Sequence, residues 1–147
     1  MITAHKNKTL ATFLAAFFGG IGAHRFYLHG KKDRGAWLYV ILFVLSILAG
    51  ILASRAIGLP QGEQWDAAHY VVLLPLSVFA GFIAALSIGL TLDDKWDAAH
   101  NQASGRKSDS GWTVVLTVIV TFFVGTTLLI AAIARFFDLV YTGGAYG

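Results

Sequence analysis

Three stretches of this chain contain no Asp, Glu, Lys or Arg: residues 35–54, 70–92 and 112–134. Each is about as long as the roughly 20 residues that a helix needs to cross about 30 Å of hydrocarbon. Three such runs dominate a chain of 147 residues, 56% hydrophobic and only 13% charged, whose charges collect between the runs. Hydrocarbon offers no partner to backbone N–H and C=O groups, so segments of this kind are helical. A fourth run, residues 9–23, is shorter and holds Gly19, Gly20 and Gly22. Its length fits a signal-peptide core, a buried helix or a short span. The basic start and the small residues near Ala23 suit a signal peptide, whereas Ile21 and the aromatic "RFYL" that follows do not. The expectation is an all-α, polytopic integral membrane protein with four transmembrane helices, the first short and Gly-rich.

The tryptophans support these boundaries, because an indole favours the headgroup level, where its ring is buried and its N–H stays wet. Trp37, Trp65, Trp96 and Trp112 all fall at or beside expected span ends and read as interface anchors. Orientation follows from the basic residues. Arg25, Lys31, Lys32, Arg34, Lys95, Arg106 and Lys107 lie in the two segments after the first and third spans, against Lys6, Lys8, Arg55 and Arg135 on the other side. The positive-inside bias then places both connecting segments in the cytoplasm and both termini outside, as in a multi-pass protein of a bacterial inner membrane. Residues 6–58 form a helical hairpin in this reading, 59–138 a second helical pair with a polar cytoplasmic loop, and 139–147 a flexible tail.

The net charge of +3 belongs to span-flanking residues. Such residues suit contacts with the bilayer and its anionic head groups, and no soluble module is left over to bind nucleic acid. With no cysteine, the chain has neither a disulfide framework nor a thiolate metal site. The Asn7-Lys8-Thr9 sequon abuts the membrane and carries little weight.

Small residues recur at four-residue spacing: Gly50, Ser54 and Gly58 in one span, Gly81, Ala85 and Gly89 in another. Such faces let helix backbones approach closely in lipid. They suit either self-assembly or ordinary packing within the chain, the second being the more common use. The pentapeptide "WDAAH" occurs twice, at residues 65–69 and 96–100. Asp and His three apart share a helix face, but the copies flank a span and stand roughly 46 Å apart on a continuous helix. One chain cannot bring them to one metal ion, so no metal site or other cofactor is expected.

The densest polar cluster is "GGIGAHRFYLHGKKDRG", residues 19–35, between two apolar runs. The glycines permit tight packing or a helix break, and His24 and Arg25 set polar groups at the membrane surface before Phe26, Tyr27 and Leu28 return to the interface. Gly22, Arg25, Phe26, Tyr27, Leu28 and Gly30, with Lys6 and Lys8 ahead of them, carry a resemblance to the TM2 domain family. His24 stands where the eukaryotic pattern has Asp, as in the bacterial branch. The resemblance implies two spans around a cytoplasmic turn and no established activity. "LTLDDKWDAAHN", the Gly-Trp-led last span and "ARFFD" look like longer four-span bacterial members.

These features favour a membrane scaffold or interaction protein that self-associates. An oligomeric channel or transporter subunit is the alternative, weakened because the long spans hold no ionisable group. No enzyme is expected, since neither a zinc-protease motif, a phosphate-binding glycine loop nor a triad is evident. Asp93, Asp94, Asp97 and His100 form the densest acid and histidine group and read as a solvated helix end.

Overall fold

The computed structural model describes residues 5–56 and 76–143, and every regular element among them is helical. The chain runs through α1 (Lys8–Phe18), a 3₁₀ turn (Gly19–Ile21), α2 (Ala23–His29), α3 (Arg34–Ala56), α4 (Leu76–Leu90), α5 (Asp93–His100) and α6 (Trp112–Thr142).

Asn7 starts α1, its side-chain oxygen accepting a hydrogen bond from the Leu10 N–H at 3.1 Å. Eleven residues make α1 about 16 Å long, half the thickness of a hydrocarbon core. It ends in the 3₁₀ turn, where the Gly22 N–H donates to the Gly19 carbonyl at 2.9 Å. Gly22 has φ +72°, and a Cβ there would lie 2.8 Å from Tyr39 Cβ, so both backbone and space require glycine. The turn reverses the chain. Helix α2 runs back beside α1 until the Tyr27 carbonyl accepts from Lys6 Nζ at 2.8 Å and the Tyr27 hydroxyl accepts from the Asn7 N–H at 2.7 Å.

The expectation that Lys6 and Lys8 lie at the opposite end from the Arg25 turn is therefore corrected. The first apolar stretch enters the bundle and returns to the same end. Its reversal is built by Gly19, Gly20 and Gly22, whose missing side chains let the turn bury itself against α3 and α4. A Cβ on Gly19 would sit 2.5 Å from the Gly81 Cα, and one on Gly20 2.8 Å from the Val78 side chain.

Asp33 opens α3. Its carboxylate accepts from the Gly35 and Ala36 N–H groups at 3.1 and 3.2 Å, two of the donors a helix start leaves unsatisfied. Helix α4 packs antiparallel to α1, with Gly81 on Gly19 and Gly89 against Thr12 and Val118, and Ala11, Ala15 and Ala85 are fully buried between. Thus the Gly81, Ala85 and Gly89 face is occupied inside the chain. Gly50 lies on α3, while the Ser54 side chain, Gly58 and Trp65 fall outside the described residues. Helix α6 crosses beside α4, Gly125 meeting Phe82.

Among the described residues, α6 is the one helix long and apolar enough to span a membrane alone. Helices α4 and α5 meet that test only as a pair, bent by 108°, and residues 8–21 and 34–49 form shorter apolar helices. The four-span expectation thus reduces to an all-helical bundle with one clear spanning helix.

Candidate functional site

The polar chemistry collects at the end where α1 begins. Lys8 is only 5% exposed, and its ammonium donates to the Asp93 carboxylate at 2.8 Å and to the Thr91 carbonyl. Asp93 in turn accepts from the Ser110 hydroxyl at 2.5 Å and its backbone N–H at 2.8 Å. Burial raises the Asp93 pKa, but Lys8 and Ser110 outweigh it and leave the carboxyl below its ordinary value.

One turn further along α5, Asp97 repeats the arrangement. It accepts from Ser108 Oγ and from the Ser108 N–H, both at 2.6 Å, and from Asn101 Nδ2 at 2.7 Å. These donors, Asn101 first, hold the Asp97 carboxyl down at about 2. Asn101 also reaches the other half of the chain, accepting from the Lys6 N–H at 2.7 Å while its amide donates to the Lys6 carbonyl at 3.1 Å. Trp96 Nε1 donates to that same carbonyl at 3.0 Å. Trp96 is 3% exposed and packs on His100 with ring centroids 4.2 Å apart and planes tilted by 45°, so this indole is a core residue and no headgroup anchor. Burial first, then the charges of His29 and Lys6, lower the His100 pKa.

The second "WDAAH" is thus a latch. Its Trp and Asp, with Asn101 beyond it, tie the α5 segment to residue 6 on one side and to the loop before α6 on the other. The alternation of acids and small polar residues in "DDKWDAAHNQASGRKSDSG" was visible in the sequence, but its partners near residue 6 were not. The first copy lies outside the described residues. No group of three or more potential metal ligands occurs among the described residues.

The turn residues take separate places. Arg25 Nε donates to Asp33 at 2.8 Å, and its guanidinium lies over Gly35, where a Cβ would come within 2.4 Å of it. His24 is 4% exposed, packs edge-on to Tyr39 at 5.4 Å, and its Nδ1 has no hydrogen-bond partner. Phe26 meets Trp37 edge-on at 5.5 Å, and Trp37 is half exposed with Nε1 donating to the Lys31 carbonyl at 2.9 Å. Trp112, 78% exposed, opens α6. Gly30, with φ +80°, closes α2 through its N–H to the Phe26 carbonyl. Asp33, the cap and ion-pair partner, was missed in the sequence, although an Asp just ahead of an apolar run is a helix-start signal.

Between α1 and the loop before α6 lies a cleft of about 260 Å³ lined by His5, Asn7, Lys8, Thr9 and residues 106–110. Nearer the tip of the returning hairpin is an apolar groove of about 390 Å³, walled by Phe17, Phe18, Phe43, Phe82 and Val120 among others.

The segment that makes the cap, the hairpin and most of α3 matches known proteins. Residues 4–54 match the TM2 domain. Over 50 residues the chain is 44% identical to the uncharacterized membrane protein YozV of Bacillus subtilis (strain 168), which covers 34% of this chain and 56% of the relative. The chain thus spans about half the length of this curated relative. No solved structure matches the chain. The latch from α5 grips the segment that matches the TM2 domain at Lys6 and Lys8, near its first residues.

Proposed function

We propose that the protein is a membrane-embedded, non-enzymatic scaffold that self-associates through α3 and presents its polar platform to the anionic surface of one leaflet. The observation that carries this reading is the state of α3. Leu38, Ile41, Leu45, Leu48 and Leu52 recur at alternating spacings of three and four, and all remain exposed after the bundle has formed. Two copies can pack such a seam with left-handed crossing, as spans commonly do. Since the Gly81 face is already occupied, this reading assigns the second copy to the regular seam on α3.

The basic residues supply the orientation. With α1 and α2 returning to one end, Lys6, Lys8, Arg25, Lys31, Lys32, Arg34, Lys95, Arg106 and Lys107 share that end, against Arg55 and Arg135, out of eleven. The positive-inside rule then puts the amino terminus and the platform in the cytoplasm. Helices α3, α4 and α6 cross, α1 and α2 form a re-entrant hairpin, and the carboxyl terminus is external. Non-helical backbone at membrane depth is tolerated where protein buries it, as α3 and α4 bury the turn at Gly19–Ile21.

Native mass spectrometry of the detergent-embedded particle tests the assembly. A defined homo-oligomer that falls to monomer on Ile41→Ala, Leu45→Ala and Leu48→Ala together is expected. A monomeric wild type, or an unchanged oligomer in the variant, overturns it.

A further inference from the structure

We propose that the seam between α1 and α6 binds one anionic phospholipid, its phosphate in the cleft at Lys8, Arg106 and Lys107 and an acyl chain in the apolar groove at Ala16, Phe17 and Val120. This deepens the scaffold reading and rests on its placement of the platform at the headgroups.

The cleft is built before any ligand arrives. Ser108 and Ser110 are each held at both backbone N–H and hydroxyl by Asp97 and Asp93, so the loop carrying Arg106 and Lys107 is fixed on the bundle. An anion meeting an ordered loop does not bear the entropy of ordering it. Arg106 and Lys107 are exposed, and neither forms an ion pair with a described residue. Lys8 is committed to Asp93, and Asp109 also lines the cleft, so the excess of positive charge comes from Arg106 and Lys107, with the neutral donors Asn7 and Thr9 opposite them. A single phosphate suits that balance.

The groove lies below the cleft along the same seam. Thr9 lines the cleft and Ala16 the groove. Seven residues apart on α1, they share a face and are separated by about 10 Å along the axis. Across the seam, Ser110, just before α6, borders the cleft and Val120 the groove, and the helical stretch from Trp112 to Val120 alone rises about 12 Å. A polar cleft at the membrane surface with an aromatic groove beneath it matches the two ends of one phospholipid. A soluble anion would leave the groove empty, and hydrocarbon alone would leave the cleft unused.

The test is native mass spectrometry of the full chain, with phosphatidylglycerol or phosphatidylcholine of identical acyl chains added. Wild type is expected to retain phosphatidylglycerol about tenfold better, as two cations at a surface allow. The double variant R106Q/K107Q should lose that preference, whereas K31Q/K32Q, the same charge change at the same end but outside the cleft, should keep it. Equal retention of the two lipids by wild type, or equal loss in both variants, overturns the site. Displacement by inorganic phosphate alone also overturns it, leaving an ion site without the acyl chain. Lipid adducts and oligomer mass are separate readings of one spectrum, so failure of self-association is distinguishable from failure of the lipid site.

Discussion

The Lys8 ammonium lies 2.8 Å from the Asp93 carboxylate, joining the first turn of α1 to a residue 85 positions later. The pair is unevenly buried, Lys8 almost completely and Asp93 partly. Removing the acid strands a charge that cannot reach water, whereas removing both leaves nothing to compensate. Asp93→Asn is expected to destabilise the detergent-solubilised protein by about 2 kcal/mol. Lys8→Met combined with Asp93→Asn should cost less than the two single changes added together. Thermal unfolding of the four proteins of this cycle checks the coupling, and strict additivity would show that the pair does not join the halves.

A Cβ at Gly81 would meet Gly19 backbone at 2.6 Å, and backbone in a buried turn cannot swing aside as a side-chain tip can. Gly81→Ala is expected to cost about 1–3 kcal/mol. Gly111→Ala, where a Cβ meets nothing within 4 Å, should be tolerated. Yield and melting temperature in detergent compare the two, and equal behaviour would count against the close approach of the turn and α4.

Arg25→Ala should lower the yield of folded protein more than Lys31→Ala. Arg25 neutralises Asp33 while that carboxylate caps α3, whereas Lys31 is exposed and contributes its carbonyl to Trp37. Asp33→Ala removes cap and ion pair together and is expected to cost about 1–2 kcal/mol. A ranking in which Lys31→Ala is the most damaging of the three would contradict this account of the turn.

The latch makes stability fall with acid. The Asp97 carboxyl sits at about 2 in the fold against an ordinary 3.8, so between these values the unfolded chain takes up a proton that the folded chain refuses. The Ser108 latch is intact above pH 3.8 and released as pH approaches 2. His100, whose pKa is lowered by burial, adds a decline at higher pH, below its ordinary 6.5. Melting temperatures from pH 5 to 2 for wild type and Asp97→Asn decide the lower window, and parallel curves would refute it.

Single-cysteine labelling is clean in a chain with no cysteine of its own. In intact cells, His5→Cys and Lys31→Cys are expected to resist an impermeant maleimide and Thr142→Cys to react. External labelling of His5→Cys with protection of Lys31→Cys would restore a crossing first helix.

Helical content was legible because runs without charge leave the backbone no other way to bond. The path of the first run was not. Gly19, Gly20 and Gly22 announce a tight or broken helix, but whether the chain then continues or returns depends on Gly81, Val78 and Tyr39, residues far away in sequence. The charge count inherited that ambiguity, since placing Lys6 and Lys8 presupposes a crossing. Trp96 misled for a similar reason. An indole near a span end suits the interface equally well as an anchor or, as here, as a donor buried against the Lys6 carbonyl. Asp33 needed no distant partner to be found, since its cap contacts are with Gly35 and Ala36, two and three residues on.

The turn at Gly19–Ile21 also sets the outline of the molecule in the plane of a bilayer. In the orientation proposed above, α1 and α2 take room in the cytoplasmic leaflet and end before the other begins. Counting the described residues, each copy is then broader on its basic side by two helix cross-sections of about 10 Å. A body of that shape is a wedge. Copies joined along α3 would tilt against one another and favour a membrane surface convex toward the cytoplasm.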